Sequence, residues 1–184
     1  MLTVLIDAAE DPNGLALTLS TLVAGAVEGL VREVVVIDRG LDAATRKVAD
    51  HAGCHIVQGR TLTQIVAAAK GDWLLLVEPG ARLSLDWIDS VTGHIGEVEL
   101  QAKTPRAARF SRARRDRQSF VGSFLGRFTG RRTALVEGLL ITKTQAIGPP
   151  TRSAKLEDMG QGLATSLLEA TIRPRAQVQK ARSA

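Results

Sequence analysis

Apolar positions in the first hundred residues alternate between two spacings. Leu2–Ile6 is a short continuous apolar run closed by Asp7, and Glu33–Ile37 carries Val-Val-Val-Ile closed by Asp38. Runs this short, bounded by turn residues, fit strands covered on both faces. Between them Asp11-Pro12-Asn13-Gly14 supplies helix-start chemistry, and Leu15, Leu19, Leu22, Ala26 and Leu30 recur at helical spacing. The alternation continues with a helix capped by Asp42, running to Ala52 and ended by Gly53, then a short strand over His55–Gln58. Thr61–Lys70 reads as a third helix with Leu62, Ile65, Val66 and Ala69 on one side, and Trp73–Val77 as a fourth strand. After Glu78-Pro79-Gly80 a helix starts at Ser84 and carries Trp87, Val91 and Ile95. Strand and helix in this order predict an α/β domain of Rossmann-like class, with a mostly parallel central sheet and helices on both faces.

The second half is less regular. Its pattern predicts a strand over Glu97–Ala102 and another over Ala134–Thr142, interrupted by Glu137-Gly138. A helix is predicted within Ser153–Leu168, after Pro149-Pro150. Residues 169–184 read as a basic, flexible tail, which leaves one domain over residues 1–168.

Composition narrows the class. The chain has 184 residues, of which 45% are hydrophobic and 23% charged, so a wholly disordered or fibrous chain is excluded. Aromatic residues are only 3%, so the core is aliphatic. Cys54 is the only cysteine, which excludes an internal disulfide. His51 and His55 flank it at metal-like spacing, but the three straddle a helix end, a turn and a strand start and do not converge on a zinc ion. Met1–Asp7 lacks a basic leader region, and no apolar run approaches the ~18 residues of a membrane span. The expected location is the cytoplasm, with peripheral membrane contact left open.

Charge is concentrated. The net charge is +5, but residues 106–132 hold nine arginines and one acid, so that stretch carries +8 and the remainder −3. Phe120, Phe124 and Phe128 lie four apart in it, beside Arg114, Arg115 and Arg127. One reading is a core-facing helix with solvated arginines. The other is an amphipathic helix on an anionic membrane or a lipid-linked acceptor. Arginine with phenylalanine also suits phosphate contact and base stacking, yet no nucleic-acid-binding motif is present, so that reading ranks third.

Candidate chemistry lies at the predicted strand ends, where open α/β sheets bind ligands. Asp7, Glu10 and Asp11 follow the first strand, Asp38 ends the second and Glu78 follows the fourth. There is no glycine-rich turn after the first strand, which weakens a Rossmann dinucleotide reading, and the P-loop pattern is absent as well. Each carboxylate has a plainer alternative: Asp38 as a turn or capping residue, Asp7 and Glu10 as loop charges, Glu78 as a solvated turn. Glu157 and Asp158 likewise fit first-turn charges of a helix.

Several segments resemble the family 2 glycosyltransferases: Leu5-Ile-Asp-Ala-Ala-Glu10, Leu17–Leu22, Val31–Asp38, Gly59-Arg60, Gln64, Ala67–Leu75 and Glu157-Asp158. The resemblance covers roughly residues 1–168 and is most specific over 31–88. It implies a single nucleotide-diphospho-sugar transferase domain and inverting transfer of a sugar to a hydroxyl of a lipid-linked or polysaccharide acceptor. Asp7, Glu10 and Asp38 would hold the nucleoside, Arg60 would lie near the phosphates and Asp158 would be the general base. The family places two aspartates, one residue apart, after the fourth strand to hold Mg²⁺ or Mn²⁺. Here the segment is Glu78-Pro79-Gly80, so Glu78 alone remains for a metal. Arg39 follows Asp38 where the family has small residues. These departures leave a second expectation, a catalytically degenerate relative acting as a binding or scaffold subunit in envelope glycan assembly.

Overall fold

The computed structural model describes residues 1–100, 106–112, 134–147 and 155–175. In chain order these form β1 (Leu2–Ala8), α1 (Pro12–Val27), β2 (Val31–Asp38), α2 (Ala43–His51), β3 (His55–Val57), α3 (Leu62–Ala68), β4 (Trp73–Val77), β5 (Arg82–Leu83), α4 (Trp87–Leu100) and β6 (Ala107–Arg112). A 3₁₀ turn (Ala134–Glu137) leads to β7 (Leu139–Thr142) and α5 (Lys143–Ile147), and a second 3₁₀ turn (Leu156–Asp158) leads to β8 (Thr165–Arg173).

One sheet holds all eight strands in the order β3-β2-β1-β4-β7-β6-β8-β5. β1 to β4 are mutually parallel. β7 runs against both β4 and β6, and β8 is parallel to β6. The carboxyl ends of β1, β2, β4, β6 and β8 therefore share one edge of the sheet. Only residues 78–81 separate β4 from β5, although the two stand four places apart in the order. The five Cα–Cα steps from Val77 to Arg82 reach at most ~18 Å even fully extended, whereas four flat strand spacings need ~19 Å. The sheet must curl, bringing its far half back toward α1.

Strand alternation divides the core. Trp73, Leu75 and Val77 of β4 face one layer with Leu15, Leu19 and Leu22 of α1 and Trp87, Val91 and Ile95 of α4. Leu74 and Leu76 face the other, with Ile65 and Val66 of α3 and with Leu139, Leu156 and Met159. Residues in β4 are buried throughout, which is why its sequence is a continuous apolar run. The helix starts obey local rules. The Asp11 side chain caps α1 with Pro12 in the first turn, Asp42 caps α2, and Thr61 with Gln64 forms a capping box on α3.

Four expectations are corrected. Glu97–Leu100 is the last turn of α4, not a strand, because Val91, Ile95 and Val98 keep the helical spacing against the core. The predicted helix in Ser153–Leu168 is a single 3₁₀ turn followed by a strand. Gly160 and Gly162 adopt left-handed φ values of 84° and 80°, which end any helix there. The domain does not stop at residue 168, because β8 continues through Arg173 with Ala170 and Ile172 fully buried. Within the arginine-rich stretch, residues 107–112 form β6, and Arg109 and Arg112 pair with Glu137. The membrane or acceptor surface assigned to Arg114, Arg115, Phe120, Phe124, Arg127 and Phe128 lies outside the described residues. No helix among the described residues is long and apolar enough to cross a membrane.

Candidate functional site

The shared carboxyl edge gathers Asp7, Asp11, Asp38 and Glu78, and each has an arginine beside it. Asp7, at the end of β1, accepts a hydrogen bond from Arg39 Nε at 2.9 Å. Asp38 closes β2 with its side chain only 1% exposed. Its Oδ1 accepts from the backbone N–H groups of Gly40 and Leu41, both at 2.8 Å, and its Oδ2 from Arg46 Nη2 at 2.6 Å. The N–H groups of Leu41 and Gly40, with Arg46, hold this carboxyl below the ordinary aspartate range against the opposing effect of burial. Asp38 is thus the turn-organising residue that the plainer reading described.

Asp11 divides its carboxylate. Oδ1 accepts from Gly14 N–H at 3.0 Å in the cap of α1, and Oδ2 lies 3.1 Å from Arg175 Nη2. Glu78 is half-buried, and burial pushes its carboxyl above the ordinary glutamate range. The Arg175 backbone N–H, 3.3 Å from Glu78 Oε1, and the charges of Arg175 and Arg112 oppose that rise without cancelling it.

The loop that carries Glu78 is fastened to α1. The buried Thr18 hydroxyl accepts from Gly80 N–H at 2.9 Å and donates toward the carbonyls of Ala81 (3.0 Å) and Glu78 (3.2 Å). Gly80 has φ +91°, and a Cβ built there would meet Arg175 Cγ at 2.8 Å and Cβ at 3.0 Å. The space of a side chain at position 80 is filled by the stem of Arg175.

The remaining candidates separate. Glu10 is exposed in the loop between β1 and α1. Arg60 lines a cavity of about 130 Å³ beside α3 with Glu33, Val35, His55 and Val57, apart from the strand-end carboxylates. Asp158 ends the second 3₁₀ turn and accepts from Gln161 Nε2 at 2.6 Å. Its turn belongs to the same edge as Glu78: a Cβ on neighbouring Gly160 would meet Leu139 Cδ2 at 2.5 Å, and Leu139 pairs with Leu76 near the end of β4. Burial and the Asp50 charge raise the Cys54 thiol to about 11, so it stays protonated. A wider cavity of about 700 Å³ opens between α4 and β8, lined by Ser90, His94, Arg106 and Leu168. It sits toward the amino ends of β6 and β8, away from the carboxylates.

The residues sequence reasoning missed are cations: Arg46, Arg112 and Arg175. Arg175 stood in the presumed tail, although Leu168, Ala170 and Ile172 alternate there in a strand pattern.

A metal held as the resemblance implies does not fit these residues. A divalent cation such as Mg²⁺ or Mn²⁺ takes several oxygen ligands. Position 80 offers no side chain, burial raises the Glu78 carboxyl above its ordinary range, and the buried Asp11 Oδ2 faces the Arg175 guanidinium at 3.1 Å. Among the described residues no three His, Cys, Asp or Glu side chains are grouped to hold an ion.

No family model matches the sequence, and no curated protein sequence does. Solved structures do match the fold. Glucosyl-3-phosphoglycerate synthase from Mycobacterium tuberculosis, in complex with Mn²⁺, uridine diphosphate and phosphoglyceric acid, is 17% identical with a TM-score of 0.53, over 79% of this chain and 56% of that one. The same enzyme with Mn²⁺, uridine diphosphate and glucosyl-3-phosphoglycerate aligns over 98% of this chain and 75% of that one, at 16% identity and a TM-score of 0.58. A mycobacterial protein is 19% identical with a TM-score of 0.52 over 79% of this chain. In most of these matches the chain spans little more than half the neighbour's length. The architecture is that of the glycosyltransferase-A fold: one α/β domain with a curled, mostly parallel sheet.

Proposed function

We propose that this chain binds a nucleotide-diphospho-sugar at the carboxyl edge of β1, β2 and β4 and transfers the sugar to a hydroxyl of a lipid-linked or polysaccharide acceptor. The observation that carries the reading is the convergence of Asp7, Asp11, Asp38 and Glu78 on the edge where open α/β sheets take ligands. The likeness of the fold to transferases crystallised with uridine diphosphate supports it. Asp7 and Glu10 flank the nucleoside, and Asp38 fixes the Gly40-Leu41 turn that faces it. Asp158 is the base. It removes the proton from the acceptor hydroxyl as that oxygen attacks the anomeric carbon from the side opposite the departing nucleoside diphosphate, inverting the centre. The reaction takes place on the cytoplasmic side, at an anionic membrane surface or on a lipid-linked acceptor.

Thermal shift with UDP, GDP, CDP and dTDP, with and without Mn²⁺, tests donor binding. At least one nucleotide is expected to raise the melting temperature, and a flat response to all four rejects the reading. Asp158→Asn is expected to abolish transfer while leaving the melting temperature within a few degrees. Retained turnover removes Asp158 from the role of base.

A second reading, a binding or scaffold subunit in glycan assembly, is favoured by one observation: the Asp38 and Asp11 carboxylates are already committed to arginines. It expects nucleotide binding without turnover on any acceptor.

A further inference from the structure

The edge that receives the donor contains a chemical exchange. Where the resemblance leads one to look for a second metal-binding aspartate stands Gly80, and the space above it holds Arg175. The two changes fit each other. An aspartate at position 80 would have to adopt φ +91° and displace the Arg175 stem, while Gly80, having no Cβ, leaves that space to it.

Arg175 is built into this place at both ends. Its backbone N–H donates to Glu78 and one guanidinium nitrogen lies on Asp11. A guanidinium offers five N–H donors in a planar fork matched to phosphate oxygens. With 48% of the side chain exposed and Asp11 on one nitrogen, the other donors have no partner among the described residues. Arg112, from the end of β6, adds a second positive charge close enough to act on the Glu78 carboxyl.

We propose that Arg175, seated over Gly80, is the cation that meets the diphosphate of the nucleotide donor, in place of a divalent metal ion. This rests on the donor-binding reading above. A diphosphate entering an edge with four carboxylates would be repelled by bare acids. Arg39 beside Asp7, Arg46 beside Asp38 and Arg175 beside Asp11 neutralise three of them, and Arg175 is the one whose side chain lies over the β4 loop. In the transfer step the C–O bond between the anomeric carbon and the diphosphate breaks, and its electron pair leaves on the β-phosphate oxygen. Arg175 donates hydrogen bonds to that oxygen as its charge grows, which is the service a metal performs elsewhere.

Calorimetric titration of UDP, GDP, CDP and dTDP into wild type, Arg175→Gln and Arg175→Lys, in EDTA and again with Mn²⁺, tests this. Wild type is expected to bind one nucleotide with the same affinity in both buffers. Arg175→Gln is expected to lose about ten- to a hundredfold in EDTA, the worth of one or two charge-assisted hydrogen bonds. Arg175→Lys is expected to keep most of the binding, with a melting temperature for each variant confirming the fold. Binding by wild type only when Mn²⁺ is present overturns the inference and leaves the donor reading intact. Tighter binding by Arg175→Gln makes Arg175 a plug over the site and overturns it as well. Absence of binding to all four nucleotides in both buffers removes the donor reading itself.

Discussion

At Asp38 the carboxylate serves two backbone N–H groups and one guanidinium at once. Its folded-state pKa lies below the ordinary 3.8, so its stabilisation is fully present above that pH. That contribution is lost as pH falls through the depressed value. Asp38→Asn is expected to lower stability at neutral pH and to flatten this part of the acid response, as read by thermal melting from neutral to acid pH. An unchanged acid limb would contradict the assignment. Thr18→Val removes the hydroxyl that bonds the Gly80 N–H and the Ala81 and Glu78 carbonyls, leaving Gly80 N–H only the Gly14 carbonyl, and is expected to cost about 1–3 kcal/mol in urea unfolding. It should also weaken nucleotide binding, because the β4 loop loses its anchor. The sequence showed the acids at the strand ends plainly, since each terminates an apolar run. It did not show their partners. Arg46 is eight residues from Asp38, and Arg175 is far along the chain from both Asp11 and Glu78, so only folding reveals those pairs.

Among elements, β8 separates what pattern shows from what it hides. Leu168, Ala170 and Ile172 point inward, while Leu167 is exposed. Ile172→Ala is therefore expected to cost about 2–5 kcal/mol, and Leu167→Ala no more than about 0.5 kcal/mol, by chemical denaturation. Equal costs would mean that β8 does not pack as described. The βα units of the first half were legible because each strand is followed at once by its own capped helix, so local signals suffice. The second half depends on long-range pairing. β6 takes β7 and β8 as neighbours, and β5 is only two residues whose partner lies ninety residues on. Gly160 and Gly162 were visible breakers in the sequence, and weighing them would have removed the predicted helix.

For the molecule as a whole, the distribution of charge changes meaning. The acidic remainder of the sequence pointed away from the strand-end cleft as the place for an anionic partner, toward the 106–132 segment. In the fold, arginines from β6, from α2, from the turn after β2 and from the segment after β8 gather at that cleft and offset its acids. That mixture of acids and arginines is what the proposed nucleotide donor would meet at the strand ends. Amide chemical-shift mapping during nucleoside diphosphate titration tests this most directly. The largest shifts are expected at Ala8–Asp11, Arg39–Leu41 and Glu78–Gly80. Shifts confined to the α4–β8 cavity, or none with any of the four nucleotides, would contradict it.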